Sequence, residues 1–209
     1  MKRISMNISS DSFEHGKRIP TEFAMGAPDG FGGNRNPQLA WRDAPNATNS
    51  FALLCIDTDA PTDASKAGKE GMDIPVDQPR TDFVHWAMID LASDEREIAA
   101  GSCSDGVTKQ GKSPQSGPGG TRQGLNDYTE WFTGEAGMQG DYFGYDGPYP
   151  PPNDLRLHRY FFRIFALDVA TLALPDRFTA ADVFHAMHGH VVAEASTYGT
   201  YSLHPHVKG

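Results

Sequence analysis

Phe51-Ala52-Leu53-Leu54-Cys55-Ile56 runs directly into Asp57-Thr58-Asp59-Ala60-Pro61. Six apolar residues bounded by Asn49 and Asp57 have the length of a strand and are too few for a helix. Two further runs have the same character: Phe83 to Leu91, and Arg159-Tyr-Phe-Phe-Arg-Ile-Phe-Ala-Leu-Asp-Val169. No helical pattern separates the three, so a parallel βαβ sheet is not expected. One helix is expected near the C-terminus. Thr179 with Asp182 three residues on forms a capping-box start. Val183, Met187 and Val191, with Ala186 and Ala193, follow at three- and four-residue spacing, and Gly199 is a plausible stop. The fold class read from these patterns is all-β or mostly β with a C-terminal helix.

The chain of 209 residues carries 18 Lys+Arg against 27 Asp+Glu, a formal charge of −9. That balance excludes a general electrostatic grip on nucleic acid or on anionic lipid. Aromatic residues at 11 % supply core area, whereas 22 Gly and 15 Pro indicate long loops. Ala64 to Arg80 and Thr108 to Gly124 lack periodicity and read as surface loops. No composition break marks a linker, so residues 1–209 are expected to form a single domain. Cys55 and Cys103 make no disulfide framework, and Cys55 reads as a small buried hydrophobe. Residues 1–15 show no signal-peptide pattern and no segment is apolar enough to span a membrane, so a cytoplasmic protein is expected.

Four groups of residues carry candidate chemistry. Asp57 and Asp59 end the first apolar run, where carboxylates are costly unless paired; a simple turn is the bland explanation. His85-Trp86 sits inside an otherwise apolar strand, where a satisfied core histidine is the common case. Tyr145-Asp146-Gly147-Pro148-Tyr149-Pro150-Pro151-Pro152 is a stiff stretch leading to His158-Arg159-Tyr160. His185, His188, His190, His204 and His206 lack Cys partners and any His-Glu-x-x-His spacing, so no metal and no cofactor are expected. No Gly-x-Ser-x-Gly element is present to suggest a serine hydrolase.

In order and spacing these elements resemble the phosphatidylethanolamine-binding proteins, also called Raf kinase inhibitor-like proteins, and their bacterial branch in particular. The family's Asp-Pro-Asp-Ala-Pro element appears as Asp57-Thr58-Asp59-Ala60-Pro61, its His-Trp strand as His85-Trp86, and its Asn-Asp-Phe element as Asn126-Asp127-Tyr128. Its Tyr-x-Gly-Pro-x-Pro-Pro loop appears as Tyr145 to Pro151 and its His-Arg-Tyr strand start as His158-Arg159-Tyr160. Ser10 to Trp41 is similar to the family's opening. Gly189 to Ala195 with Gly199-Thr200-Tyr201 is similar to its C-terminal helix and tail. Thr58 departs from the usual Pro, and the stretches 62–82 and 129–143 are longer than the family pattern.

The resemblance implies an antiparallel β-sandwich whose activity is binding rather than turnover. Its ligands would be small anions or phosphorylated headgroups, with regulation of a protein partner such as a kinase or protease as an associated role. Carried over by position, the ligand-binding residues would be Asp57, Asp59, Pro61, His85, Tyr145, Gly147, Pro148 and His158. In this reading the carboxylates orient the imidazoles and raise their pKa values. His85 and His158 then donate to phosphate oxygens, and Gly147 lets the backbone approach the ligand. Arg159 would point to the opposite face of its strand. Trp131, Phe132, Tyr142 and Phe143 in the second long loop would offer a contact surface for a protein partner. Packing of those rings within the loop is the simpler alternative, and a homodimer is left open. The rival reading is a phosphatase using Asp57 as nucleophile and Asp59 as acid and base. Against it, Pro61 stands where such a motif has Thr, and the alternating βα pattern is missing.

Overall fold

The computed structural model describes residues 5–114 and 117–208. Lys2, Arg3 and residues 115–116 of the stretch expected to be a loop, 108–124, lie outside that range. The strands in chain order are β1 (Asn7–Ser9), β2 (Gly26–Ala27), β3 (Gly30–Phe31), β4 (Leu39–Arg42), β5 (Ser50–Pro61), β6 (Arg80–Ala92), β7 (Glu97–Ile98), β8 (Arg122–Gln123), β9 (His158–Leu167) and β10 (Val191–Tyr201). The helices are short: α1 (Tyr128–Trp131) and α2 (Ala180–Ala186). A five-stranded sheet has the order β10-β9-β5-β6-β8, and a three-stranded sheet has the order β1-β4-β7. All their pairings are antiparallel.

Strand β5 reads as an unbroken apolar run because both of its faces are covered. Phe51, Leu53 and Cys55 join Trp86, Met88, Phe162 and Ile164 in a core shared with Ile8, Leu39, Trp41 and Ile98 of the smaller sheet. Ala52, Leu54 and Ile56 face the other way, with Ala87, Ile89 and Phe165, onto Phe178, Val183 and Met187 at α2. Side chains alternate between the two faces of a strand, so continuous apolarity follows from double burial.

The expected helix is shorter than its apolar spacing indicates. The Thr179–Asp182 capping box forms, but α2 stops at Ala186 and Gly189 adopts φ +84°. A glycine in that left-handed region turns the chain, and residues 191–201 then pair with β9 as a strand. The segment similar to a family helix and tail is therefore mostly β10, and the chain's last regular element is a strand rather than a helix.

Candidate functional site

Two irregularities in the β5–β6 pairing build the site. Cys55 pairs with Trp86 while the next residue, Ile56, pairs with Val84, so His85 is the extra residue of a bulge. A bulge re-aims a side chain, and here it turns His85 to the face that carries Trp86 and Cys55. Between Asp57 and Ala60 the register shifts again. Asp57 Oδ1 accepts a hydrogen bond from the Asp59 backbone N–H at 2.8 Å. That local turn separates the two carboxylates, which simple alternation would place on one face. Asp57 stays on the His85 side, whereas Asp59 accepts from Arg159 at 2.8 and 3.0 Å and from Arg156 at 2.9 Å. Burial opposes the Asp59 charge, but these two guanidinium groups outweigh it and hold its pKa below the usual carboxylate range. Arg159 is thus on the opposite face, as strand alternation indicates.

At this end of the large sheet lies a small cavity of about 30 Å³ that opens to solvent. Asp57, Pro61, His85 and His158 line it, together with Ala60, Phe83, Tyr128, Trp131, Tyr149, Pro150, Pro151 and Tyr160. Four of the eight residues expected at a ligand site are therefore brought together. The other four are not at the wall. Asp59 is in its arginine pairs. Tyr145 packs edge-on against Trp86 and donates its hydroxyl to the Phe23 carbonyl at 2.6 Å. Pro148 is buried, and its carbonyl accepts from Gly26 N–H at 2.9 Å. Gly147 is required for a different reason from ligand approach: a Cβ there would lie 2.2 Å from the Phe23 carbonyl oxygen.

His158 differs most from expectation. Its Nδ1 lies 2.7 Å from Asp57 Oδ2 and its Nε2 lies 3.1 Å from Asp154 Oδ2. Asp154 is in turn gripped by Arg80 at 2.6 and 3.1 Å. Burial alone would lower the His158 pKa, but the Asp57 charge and the hydrogen bonds to Asp154 and Asp57 prevail and raise it to about 9. The ring is an imidazolium with both N–H groups committed to carboxylates, so it contributes charge to the site and has no donor left for a ligand.

His85 is the reverse case. Its Nδ1 lies 2.8 Å from the Asp146 backbone carbonyl. Its ring is enclosed by Phe83, Tyr128 and Tyr160 at centroid distances of 5.0, 5.4 and 5.1 Å. Burial among these rings pushes its pKa down, despite the opposing pull of Asp57 and Asp146. The expectation that a carboxylate neighbour would raise it fails because desolvation is the larger effect. The Tyr160 hydroxyl is also buried and satisfies hydrogen-bond geometry with no protein atom among the described residues.

Beneath the cavity, Asp146 organises the loop that carries Tyr149 and the prolines. Its carboxylate accepts from Asn34 at 2.7 Å, Asn126 at 2.8 Å and Lys112 at 3.0 Å. Lys112 also donates to the Tyr145 carbonyl. It lies in the 108–124 segment expected to be surface loop, yet it is 3 % exposed. The two long segments flank the cavity mouth. Ala67, Gly68, Phe132 and Glu135 line a wider groove of about 570 Å³ that shares Trp131, Tyr149, Pro150 and Pro151 with the cavity. Of the rings proposed as a partner surface, Phe132 and Tyr142 are buried against Met25 and Tyr128. Phe143 is half-buried and only Trp131 is exposed. Of the candidate histidines, His190 pairs with Asp168 at 2.8 Å, His185 and His188 face solvent, and His204 and His206 contact each other at a ring-centroid distance of 5.7 Å. No helix among the described residues is long and apolar enough to cross a membrane.

Sequence reasoning quoted Tyr128 and Tyr160 within motifs without assigning them to the site, and it missed Asp154 and Arg80. Asp154 had a signal, since it lies four residues before His158. Tyr160 had another: it shares His158's strand parity and so shares its face.

The family described as phosphatidylethanolamine-binding protein matches residues 9–202. A UPF0098 protein of Aquifex aeolicus is 31 % identical over 196 residues, covering 94 % of this chain and 88 % of its own. UPF0098 protein YbhB of Escherichia coli is 27 % identical, covering 94 % and 100 %. The crystal structure of E. coli YbcL, described as a member of the mammalian PEBP family, superposes with a TM-score of 0.70 at 23 % identity, covering 95 % and 99 %. That of the homologue CT736 from Chlamydia trachomatis gives 0.64 at 26 %, covering 95 % and 97 %. With the family model matching residues 9–202 and a relative 31 % identical over 94 % of its length, this chain belongs to the phosphatidylethanolamine-binding protein family.

Proposed function

We propose that the protein binds a small anion or a phosphorylated headgroup in the His85 cavity and does not turn it over. The observation that carries this reading is a polar pair at the cavity wall within a shell of aromatic rings: His85 Nε2, whose ring bonds the protein only through Nδ1, and the Tyr160 hydroxyl, which lies beside Asp57 but meets hydrogen-bond geometry with no protein atom among the described residues. Polar groups inside a protein ordinarily have good partners, so two at one wall that lack a well-formed hydrogen bond support a ligand whose polar atoms supply it. The His158 imidazolium adds a fixed positive charge behind them. Binding is favoured over hydrolysis because both Asp57 oxygens are engaged, by Asp59 N–H and by His158, while Asp59 faces away. An Asp57/Asp59 phosphatase would need both carboxylates on one substrate.

Calorimetry with O-phosphoethanolamine is the test. His85→Ala is expected to lose measurable binding while keeping the wild-type circular dichroism spectrum. His188→Ala, at an exposed position, is expected to bind as wild type does. A folded His85→Ala protein with unchanged affinity would remove the reading.

A further inference from the structure

We propose that the fixed orientation of His85 makes the cavity select phosphoryl groups that carry a proton, namely protonated inorganic phosphate or a phosphomonoester monoanion, over sulfate and over phosphodiesters. The inference rests on the binding reading above and specifies its ligand.

The geometry leaves little choice of tautomer. A backbone carbonyl accepts hydrogen bonds and cannot donate one. The Asp146 carbonyl at 2.8 Å therefore places a proton on His85 Nδ1. The return bond from Asp146 N–H to the His85 carbonyl at 3.0 Å ties the loop to the same residue. In the neutral ring Nε2 is then a lone pair, and it has no protein partner among the described residues. It asks for a ligand hydrogen-bond donor.

The groups packed around the ring keep it neutral. Asp57 on β5 and the Asp146 carboxylate below favour a charge, and the His158 imidazolium on β9 opposes it. Tyr128 from α1 and Tyr160 from β9 are phenols whose pKa values burial raises well above the ordinary value, so both are uncharged. Desolvation outweighs the carboxylates, and the imidazole stays below its usual pKa. Asp57 does not substitute as a donor, because a carboxylate only accepts. The donor left for the ligand is the Tyr160 O–H, which lies beside Asp57 but meets hydrogen-bond geometry with no protein atom among the described residues.

A phosphoryl group with one proton matches this wall: its P–OH donates to His85 Nε2 and an unprotonated oxygen accepts from Tyr160. Sulfate at neutral pH and a phosphodiester have acceptors only, and would leave two lone pairs facing each other. A site built for a hydrogen bond rejects an analogue that lacks the matching group.

The experiment is calorimetry at pH 6.5 and constant ionic strength with inorganic phosphate, glycerol 3-phosphate, dimethyl phosphate and sulfate. Phosphate and glycerol 3-phosphate are expected to bind at least tenfold more tightly than the other two. The stronger of the first pair tells whether free phosphate or a headgroup monoester is the better fit. His85→Gln places an amide that can donate or accept near the Nε2 position, and is expected to bring sulfate within about threefold of phosphate. Equal wild-type affinities for sulfate and phosphate would overturn the selectivity and leave anion binding intact. Binding of none of the four would remove both.

Discussion

Stability should fall as His158 loses its proton. The ring titrates at about 9 in the folded protein against 6.5 for an ordinary histidine. At 1.36 kcal/mol per unit, that difference is worth on the order of 3 kcal/mol. The pKa is raised by folding, so the contribution is complete below pH 6.5 and disappears as pH rises through 9. About 2 kcal/mol of it is lost between pH 6.5 and 8.5. The ring is 1 % exposed, so solvent screens the pair little. Urea unfolding at pH 6.5, 7.5 and 8.5 measures the loss. The same series on His158→Gln isolates it, because that variant keeps every other titrating group. The buried thiols Cys55 and Cys103, raised by burial, add a loss of the same sign only near and above their unfolded values, and do so in both proteins. Parallel stability curves for the two proteins would refute the paired-imidazolium account. Removing one member of a buried charge network costs about 3–5 kcal/mol. Should His158→Gln fail to fold, ring NMR on the wild type gives the answer, and a midpoint below pH 7 contradicts it.

Sulfate affinity should fall as pH rises, because sulfate needs His85 protonated and burial depresses that pKa; calorimetry from pH 5 to 8 checks this, and a flat profile excludes His85 as the donor. Gly147→Ala should destabilise severely, since its Cβ would meet the Phe23 carbonyl at 2.2 Å; a melting temperature unchanged from wild type would show the loop moves freely. Lys112→Met should cost about 3–5 kcal/mol by leaving the Asp146 carboxylate without its cation, read by urea unfolding. Thr179→Ala should cost about 1 kcal/mol through the lost α2 cap, with no effect on ligand affinity.

Much of the fold was legible because its central strands are covered on both faces. Double burial made β5 and the middle of β6 and β9 continuous apolar runs. Strand β10 was misread because Val183, Met187 and Val191 continue a helical spacing past the true end of α2. The break depends on Gly189, and nothing in the local pattern distinguishes it from a tolerated glycine. As an outer strand with alternating exposure, β10 carries Ser, Thr and Tyr rather than an apolar run.

The site was half legible. Asp57, His85 and His158 could be named from motif order. The face each side chain points to could not, because it depends on bulges that shift register without marking the sequence. Those bulges bring His85 in and send Asp59 out to its arginines. The roles of the two histidines likewise depend on tertiary partners. Asp154 and Asp57 make one a fixed cation, while a carbonyl and three rings make the other a neutral acceptor. Lys112 lies in a Gly- and Ser-rich stretch that gives no hint of burial, and its carboxylate partner lies 34 residues away.

The central claim, that His85 meets the ligand, is tested most directly by NMR on protein labelled in its histidine rings. The protein is titrated with inorganic phosphate at pH 6.5. The account predicts that the His85 ring resonances move saturably, with Nδ1 still protonated, while those of exposed His185 and His188 stay in place. Saturable phosphate binding that leaves His85 unmoved would contradict it.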